Sequence, residues 1–312
     1  NTWFSDQFIC RDQNIHIKYL IQKTFGVKEI QDVFLTKQGL IEKTAKPNKE
    51  QLERNLNAIN TFKQNNPELN VGFVTVPNAV SIKKEYLPKY AVTLNQDKQI
   101  DNIYNQLDDS IVKIDLRNTL KKHKDEYLYY KTDHHWTSLA SYYAYQDIAK
   151  AFNLETTKQS DYTIYPVTTN FEGTLANKTG SVNIKDEIDI YVPKDKCDYV
   201  ITDESTNKKS RTIYHSAALE TKDQYTVFMG GNKALFHINV DNNSKRHLLL
   251  IKDSYANSLI PFLIPQFNSI TVVDARYYFE DYTRLIKDDL ITDVLFMNNA
   301  NYQQRSLLLL FP

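Results

Sequence analysis

The sequence predicts an α/β fold built on a doubly wound, mostly parallel, five-stranded sheet with an inserted antiparallel β region. Three observations lead to this prediction: five short apolar runs typical of buried strands, segments of helical periodicity between them, and a different residue pattern between about 160 and 245. The five runs are 71–76, 110–116, 248–251, 269–275 and 292–298. Ligands bind at the carboxyl ends of the strands in such a sheet, so we expect the functional residues there.

Helices are predicted between the strands of the first half. Residues 49–64 repeat apolar side chains at the spacing of one helix face, and Asn65, Asn66 and Pro67 stop the helix. A second helix, 96–108, precedes the second strand, and a third, 138–152, follows an acidic and histidine-rich segment. The apolar positions are Leu52, Leu56, Ile59 and Phe62 in the first helix, Ile100, Ile103, Tyr104 and Leu107 in the second, and Leu139, Tyr142, Tyr143, Ile148 and Phe152 in the third.

The residue pattern changes between about 160 and 245, where short segments of β-branched or aromatic residues alternate with turns of charged residues, Gly and Asn. This pattern predicts antiparallel hairpins. We interpret the region as a β-rich subdomain inserted into a single domain that spans 1–312. Helices near 256–264 and 280–288 then separate the last three strands.

Composition limits the functions of the chain. Lys plus Arg and Asp plus Glu each number 38, so no overall charge attracts nucleic acid or an anionic membrane, and a solvated face explains the run KKHKDE. No apolar run approaches the roughly 18 residues of a membrane span, and the chain begins at Asn1 without a Met. We therefore expect an N-terminal targeting or anchor segment that is absent from this sequence.

Cysteine and aromatic content add two weaker indications. Cys10 and Cys197 match neither a disulfide framework nor a zinc site, and a single bridge between them stays open. The 21 Tyr and 15 Phe provide rings that can stack on sugar faces, although most are expected in the core or half-buried in strands.

The first chemical feature is the segment Lys252, Asp253, Ser254 and Tyr255, which directly follows the apolar strand 248–251. A serine in this turn presents its hydroxyl at the strand end. The helix N-terminus expected there has free N–H groups, including that of Tyr255, which suit an oxyanion formed in acyl transfer. The alternative is that Asp253 or Ser254 simply caps the helix.

The second feature is the run Asp133, His134, His135 and Trp136. A hydroxyl is a weak nucleophile that needs an imidazole to take its proton, and the imidazole needs a carboxylate to fix its tautomer. Side chains at i and i+2 point the same way in an extended segment, which pairs Asp133 with His135. His134 is then expected to face away, as a structural or substrate-contacting residue.

Two alternatives compete for this run. An Asp and two His could bind a metal, but tetrahedral zinc needs at least three protein ligands, and the remaining histidines show no ligand spacing. The run could also be a helix-capping turn with incidental histidines. We favour acid–base chemistry, and we predict no metal and no cofactor.

The segments TDHHWTSLASYYAY, IKDSYANSLIPFL, VVDARYY, ITDVLFMNN and FMGGN together resemble the DHHW family. That family is similar to the SGNH-hydrolase-like proteins that O-acetylate exopolysaccharides such as alginate outside the cytoplasm. The resemblance also includes WFSDQFICRD and VFLTKQGLIE. It implies an SGNH-hydrolase-like fold and a catalytic triad of Ser254, His135 and Asp133. The chain order Asp, His, Ser does not matter, because triad roles are set in space.

The chain departs from the ordinary SGNH pattern at the serine, where Lys252 replaces the small Gly of a GDS motif. The usual Gly and Asn oxyanion donors have no assured match. Gly231 with Asn232, and Asn299, are candidates, with a hairpin turn and a strand-end cap as alternatives. Arg276 is a candidate for binding an anionic or polar substrate group, with a surface ion pair as the alternative. The predicted oxyanion and substrate-binding residues are Tyr255, Asn232, Gly231, Asn299, Arg276, Trp136 and His134.

The combined expectation is a monomeric, extracytoplasmic polysaccharide O-acetyltransferase of the cell surface that forms an acetyl-serine intermediate. The resemblance implies a polysaccharide acceptor and a membrane-bound O-acyltransferase as acetyl supplier. One rival is a carbohydrate acetylesterase with the same triad. Another is a non-catalytic carbohydrate-binding or scaffold protein of an exopolysaccharide export complex, in which Ser254 and Asp133 are only caps.

Overall fold

The computed structural model describes residues 11–182 and 184–301. In this part of the chain, helices α1 to α9 span Arg11–Thr24, Lys49–Asn65, Ala79–Ile82, Gln96–Tyr104, Arg117–Lys122, Ser138–Ala151, Thr174–Thr179, Ile260–Leu263 and Tyr282–Asp288. Strands β1 to β13 span Glu29–Ile30, Val33–Leu35, Leu40–Glu42, Asn70–Val76, Val112–Ile114, Tyr162–Phe171, Asp186–Pro193, Tyr199–Asp203, Lys208–Ser210, Leu235–Val240, His247–Lys252, Ser269–Asp274 and Asp293–Asn299. Short 3₁₀ helices span Lys84–Tyr86, Gln159–Asp161, Ser216–Glu220, Gln224–Val227, Ser254–Ser258 and Ile264–Gln266.

The main sheet has eight strands in the order β5-β4-β13-β11-β12-β10-β8-β9. The first five are mutually parallel, and they are the five strands that the apolar runs predict. The other three are antiparallel additions. The predicted sheet of five strands is therefore wrong in its count, because strands from the region 160–245 extend one edge.

The region 160–245 divides between two structures. Its strands β8, β9 and β10 belong to the main sheet, where Ile238 of β10 lies opposite Ile201 on one side and Ile270 on the other. Its strands β6 and β7 form a separate two-stranded antiparallel ribbon. The antiparallel character was predicted, but part of the region continues the main sheet instead of forming a subdomain beside it.

Helices cover both faces of the sheet. In β11, Leu248 and Leu250 pack into a core with α5, α6 and α8, whereas Leu249 and Ile251 pack into a second core with α2, α4 and α9. Successive side chains of a strand point to opposite faces, so a strand buried on both sides is apolar at every position. This is the doubly wound arrangement that the uninterrupted apolar runs predict.

The helix predicted near 256–264 is replaced by the 3₁₀ helix Ser254–Ser258 and the four-residue α8. Pro261 lies in the first turn of α8 and has no N–H with which to continue a longer helix from the serine turn. The macrodipole expected at Ser254 is consequently weak, since it grows from aligned peptide units. What the turn can offer is its individual N–H groups.

The carboxyl ends of four parallel strands meet at one edge of the sheet. Asn78 follows β4, Ser254 follows β11, Arg276 follows β12, and Asn299 ends β13. This is the edge at which ligands are expected in an open α/β sheet.

Two expectations concern regions at the ends of the chain. Cys10 lies outside the described residues, so a bridge between Cys10 and Cys197 stays an open possibility from the sequence. A search of the described helices found none with the length and apolar character needed to span a membrane.

Candidate active site

The carboxylate of Asp253 holds the turn that carries Ser254. It accepts hydrogen bonds from the N–H of Tyr255 (2.9 Å), from the N–H of Asn299 (2.8 Å) and from Asn299 Nδ2 (2.7 Å). Burial raises the pKa of Asp253, and the hydrogen bonds from Asn299 and Tyr255 oppose that rise. Asp253 is therefore the cap that one interpretation proposed, and this cap fixes Ser254 at the edge of the sheet.

A second carboxylate anchors the histidine segment. Asp186, the first residue of β7, accepts hydrogen bonds from the N–H groups of Lys131 (2.8 Å) and Thr132 (2.7 Å) and from Thr132 Oγ1 (2.5 Å). The hydroxyl of Tyr127 donates to it as well. Asp186 is not predictable from local sequence, because nothing around it indicates a partner more than 50 positions earlier.

Ser254, His135 and Asp133 meet in a line. Nε2 of His135 lies 2.8 Å from Ser254 Oγ, and Nδ1 of the same ring lies 2.5 Å from Asp133 Oδ1. His135 and Asp133 are only 5% and 3% exposed, whereas Ser254 lines a groove. The structure thus brings together the three residues of the predicted triad, in a geometry that lets the imidazole take the hydroxyl proton.

Four hydrogen bonds converge on the carboxylate of Asp133. They come from the N–H of His135 (2.9 Å), from His135 Nδ1, from the N–H of Thr174 (2.7 Å) and from Thr174 Oγ1 (2.9 Å). Burial alone would raise the pKa of Asp133, but attraction to the imidazoles of His134 and His135 and these hydrogen bonds outweigh burial and hold the pKa well below its ordinary value. The carboxylate is ionised at neutral pH and can stabilise an imidazolium.

Gly173 allows α7 to approach Asp133. A Cβ built on Gly173 would lie 2.2 Å from Asp133 Cβ and 2.5 Å from its Oδ2, although the φ of Gly173, −83°, suits any residue. Lack of space is therefore the reason for glycine at this position. Neither Gly173 nor Thr174, which lies 41 positions after Asp133, is among the residues predicted from the sequence. The available signal was a Gly-Thr pair at a helix start, which is common and weak.

Tyr225 holds the plane of the His135 ring. The two rings are stacked with centroids 3.8 Å apart and an interplanar angle of 9°. The Tyr225 hydroxyl donates to the backbone oxygen of Ser254 at 3.0 Å. Tyr225 belongs to the region for which hairpins are predicted, but it lies in the 3₁₀ helix Gln224–Val227. No local pattern distinguishes it from the other tyrosines.

His134 lies beside the triad and lines the same groove as Ser254. Its Nδ1 is 2.7 Å from Thr174 Oγ1 and 3.5 Å from Asp133 Oδ1, and its side chain is 29% exposed. The expectation that it faces away from Asp133 is wrong, because the segment bends and is not extended. Burial and repulsion from His135 lower the pKa of His134, against the opposing attraction of Asp133.

The side chains of Trp136 and Tyr255 are fully buried, which argues against a direct substrate contact by either ring. The indole N–H of Trp136 donates to the backbone oxygen of Tyr255 at 2.8 Å. In return, the hydroxyl of Tyr255 donates to the backbone oxygen of His134. These two residues therefore tie the histidine segment to the serine turn.

The structure also revises the oxyanion donors. The N–H of Tyr255 points at Asp253, and Nδ2 of Asn299 points at the same carboxylate. No acceptor for the N–H of Ser254 is found within residues 11–182 and 184–301. Gly231 does not line the groove at Ser254, whereas Asn299 and Arg276 do.

A charged network lies beneath the serine turn. Lys252 is 1% exposed, and its Nζ donates to Asn257 Oδ1 (2.7 Å) and Asn232 Oδ1 (3.3 Å) and lies 3.8 Å from Asp274 Oδ2. Burial lowers the pKa of Lys252 to about 8, against the attraction of Asp274. Arg276 Nε donates to Asp274 Oδ1 at 2.7 Å. Arg276 is thus ion-paired, as one interpretation proposed, at the wall of a groove of about 890 Å³.

The metal alternative has a structural counterpart. Asp133, His134 and His135 each place one potential ligand atom within 4.8 Å of the others. Both ring nitrogens of His135 are already engaged, however, one with Asp133 and the other with Ser254. A metal would have to displace one of these hydrogen bonds, so the observed arrangement favours proton transfer.

The chain belongs to the DHHW family, whose sequence profile, described as DHHW protein, matches residues 56–273. This match covers more than half of the chain and confirms the resemblance found in the sequence. A comparison with curated proteins found no match.

Solved structures share the fold. A DHHW family protein from Eubacterium siraeum superposes with a TM-score of 0.76 at 27% identity, over 88% of this chain and 92% of that chain. Bacillus cereus PatB1 with a sulfonyl adduct has a TM-score of 0.75 at 20% identity, over 88% and 96%. The O-acetyltransferase domain of Pseudomonas putida AlgJ has a TM-score of 0.55 at 14% identity, over 88% and 92%. The mixed α/β fold with a large, mostly parallel sheet is common to this group.

Proposed function

We propose that this protein is an extracytoplasmic polysaccharide O-acetyltransferase that works through an acetyl group on Ser254. The observation that carries the proposal is the hydrogen-bonded line from Ser254 through His135 to Asp133. The likeness in fold to the O-acetyltransferase domain of AlgJ supports the same reaction class. The sulfonyl adduct of PatB1 adds support from chemistry, since sulfonyl reagents react with activated nucleophiles such as serine.

The first half-reaction acetylates the serine. Nε2 of His135 takes the proton of Ser254 as Oγ bonds to the carbonyl carbon of the donor. The bond from that carbon to the leaving group then breaks, and the leaving group takes the proton from His135. Asp133 stays ionised and stabilises the imidazolium that exists between these two transfers.

The second half-reaction moves the acetyl group to the polysaccharide. A sugar hydroxyl gives its proton to His135 Nε2 as its oxygen bonds to the acetyl carbon. The bond between that carbon and Ser254 Oγ breaks, and Oγ recovers the proton from His135. Neither half-reaction needs a metal or a nucleotide.

The free N–H of Ser254 is our leading oxyanion donor. Asn232, whose Oδ1 accepts from Lys252 and Asn257, does not line the groove at Ser254, and its role as an oxyanion donor stays a prediction from the sequence. Loss of one such donor typically lowers the rate about a hundredfold to a thousandfold.

The remaining parts of the proposal concern the whole protein and its partners. We propose that 1–312 form a single SGNH-hydrolase-like domain, which acts as a monomer at the cell surface. A membrane-bound O-acyltransferase would supply acetyl groups, and an N-terminal anchor would keep the two proteins in one membrane. Confinement of this kind raises their effective concentration.

Mass spectrometry tests the acetyl-serine directly. After incubation with p-nitrophenyl acetate, we expect one acetyl group on Ser254 of the wild-type protein and none on the Ser254→Ala variant. Phenylmethylsulfonyl fluoride should block the same residue. The variant Ser160→Ala alters an exposed serine and should be labelled like the wild type.

Acceptor sugars then separate the candidate functions. A transferase releases the acetyl group faster when cello-oligosaccharides or chito-oligosaccharides are added, and it yields acetylated sugar. Release to water alone, unchanged by any sugar, would indicate the acetylesterase. A wild-type protein that forms no adduct, and that binds sugar as well as its Ser254→Ala variant does, would be a binding protein, and this result would end the proposal.

A further inference from the structure

The hydrogen bonds of His134 fix which of its ring nitrogens carries the proton. Thr174 has a single hydroxyl proton, which it donates in a hydrogen bond to the ionised Asp133 Oδ2, 2.9 Å away. Thr174 Oγ1 must then accept from His134 Nδ1, 2.7 Å away. The proton of the neutral ring is therefore on Nδ1, and Nε2 keeps a lone pair that can accept a hydrogen bond.

The two imidazoles present their Nε2 atoms on the same side. Their rings lie 3.9 Å apart with an interplanar angle of 37°, and both turn Nδ1 towards Asp133 Oδ1, at 2.5 Å for His135 and 3.5 Å for His134. The opposite edge of the His135 ring reaches Ser254, and His134 lines the groove at that serine. Among the described residues, Nε2 of His134 has no hydrogen-bond partner.

We propose that Nε2 of His134 accepts a hydrogen bond from a second hydroxyl of the acceptor sugar, next to the hydroxyl that attacks acetyl-Ser254. This inference rests on the proposed function and names its acceptor class, a vicinal diol such as two neighbouring free hydroxyls of a pyranose ring. The two rings lie side by side with centroids 3.9 Å apart, so neighbouring hydroxyls on one sugar ring can reach both of them.

The two histidines then have different tasks in one step. The attacking hydroxyl gives its proton to His135 Nε2 as its oxygen bonds to the acetyl carbon. The bond from that carbon to Ser254 Oγ breaks, and Oγ recovers the proton from His135. The neighbouring hydroxyl keeps its proton and only donates a hydrogen bond to His134. Burial and repulsion from His135 lower the pKa of His134, which keeps its Nε2 unprotonated.

Two substitutions at one position test the role of Nε2. In His134→Asn the amide nitrogen replaces Nδ1, so the contact with Thr174 can persist while the acceptor at Nε2 is lost. In His134→Gln the longer side chain can place an amide oxygen near the Nε2 position. The matched control is His123→Asn, at a half-buried histidine that stacks on Tyr143 and does not line the groove.

The measurement is the ratio of acetyl transfer to trans-1,2-cyclohexanediol over transfer to cyclohexanol, per hydroxyl, with p-nitrophenyl acetate as donor. We expect the wild type to prefer the diol and His134→Asn to lower the ratio about threefold to tenfold, the effect of one hydrogen bond. His134→Gln should recover part of the preference, and His123→Asn should keep it.

Each outcome has one meaning. A ratio unchanged in His134→Asn overturns the role of His134, and so does loss of acetyl-Ser254 in both His134 variants, which would assign the ring to the support of Asp133. A wild-type protein that forms no acetyl-Ser254 overturns the proposed function itself. Nitrogen-15 NMR of the wild-type histidine rings gives a separate readout, because a proton on Nε2 of His134 would overturn the inference without any activity measurement.

Discussion

Asp133 has two separate tasks at the residue scale. Its Oδ1 holds His135 through both the ring and the backbone N–H, and its Oδ2 holds α7 through Thr174. The first task sets the tautomer of the imidazole, and the second keeps the carboxylate in place. A substitution that preserves shape but changes the hydrogen-bonding character of this group separates chemistry from folding.

We predict that Asp133→Asn lowers the rate of Ser254 acetylation about 10³-fold to 10⁴-fold. An amide can donate to Nδ1 of His135, which puts the ring proton on Nε2 and leaves it unable to accept the proton of Ser254. Stopped-flow release of p-nitrophenol measures the rate, and circular dichroism checks the fold. Asp195→Asn, at an exposed aspartate, is the control. A loss below tenfold would contradict the triad.

At the scale of elements, the serine turn could be predicted from sequence and its supports could not. The run Leu248–Ile251 is apolar on both faces and ends in Lys-Asp-Ser, so both the strand and the exposed hydroxyl follow from local pattern. Gly173 and Asp186 act on the histidine segment from other elements, across long stretches of chain. Contacts of this kind depend on the tertiary fold, and no local spacing indicates them.

Gly173→Ala should damage the site through packing alone. The added methyl group overlaps Asp133, and relieving it must move either the carboxylate or α7. We expect a loss of unfolding free energy of about 1–3 kcal/mol and at least a tenfold slower acetylation of Ser254, measured by urea unfolding and p-nitrophenol release. Gly26→Ala adds a methyl group where nothing lies within 4 Å, and its φ of 77° strains an alanine, so this control loses stability through the backbone alone and should keep the acetylation rate. Wild-type acetylation in Gly173→Ala would show that the close approach is dispensable.

At the scale of the whole molecule, the sheet is larger than the sequence indicates. The parallel strands are recognisable because both of their faces are buried, as Leu249 and Leu250 illustrate. Strands β8 and β10 alternate buried and more exposed positions, a pattern that fits a hairpin anywhere. Their docking depends on long-range pairs such as Ile238 with Ile270, which are selected by tertiary packing and not by local pattern.

The same sheet buries a lysine at the end of β11. Lys252 ends β11 with its Nζ near Asp274 at the end of β12, and neither side chain is exposed. Burial, only partly offset by the attraction of Asp274, lowers the pKa of Lys252 to about 8. The charged form of this lysine therefore reduces the stability of the folded protein at neutral pH.

Stability should consequently rise between about pH 7.5 and pH 9.5 relative to a Lys252→Met variant. The folded pKa of about 8 lies below the ordinary value of 10.5, so in this window the unfolded chain binds more protons than the folded protein. The stability gained when Lys252 loses its proton is complete above the ordinary pKa of 10.5 and is lost as the pH falls through the folded pKa of about 8. Urea unfolding at both pH values should show the wild type gaining on the order of 1 kcal/mol over Lys252→Met. Lys196→Met, at an exposed lysine, should show no such difference. A wild type whose stability relative to Lys252→Met does not change on raising the pH would mean that Asp274 holds Lys252 charged throughout.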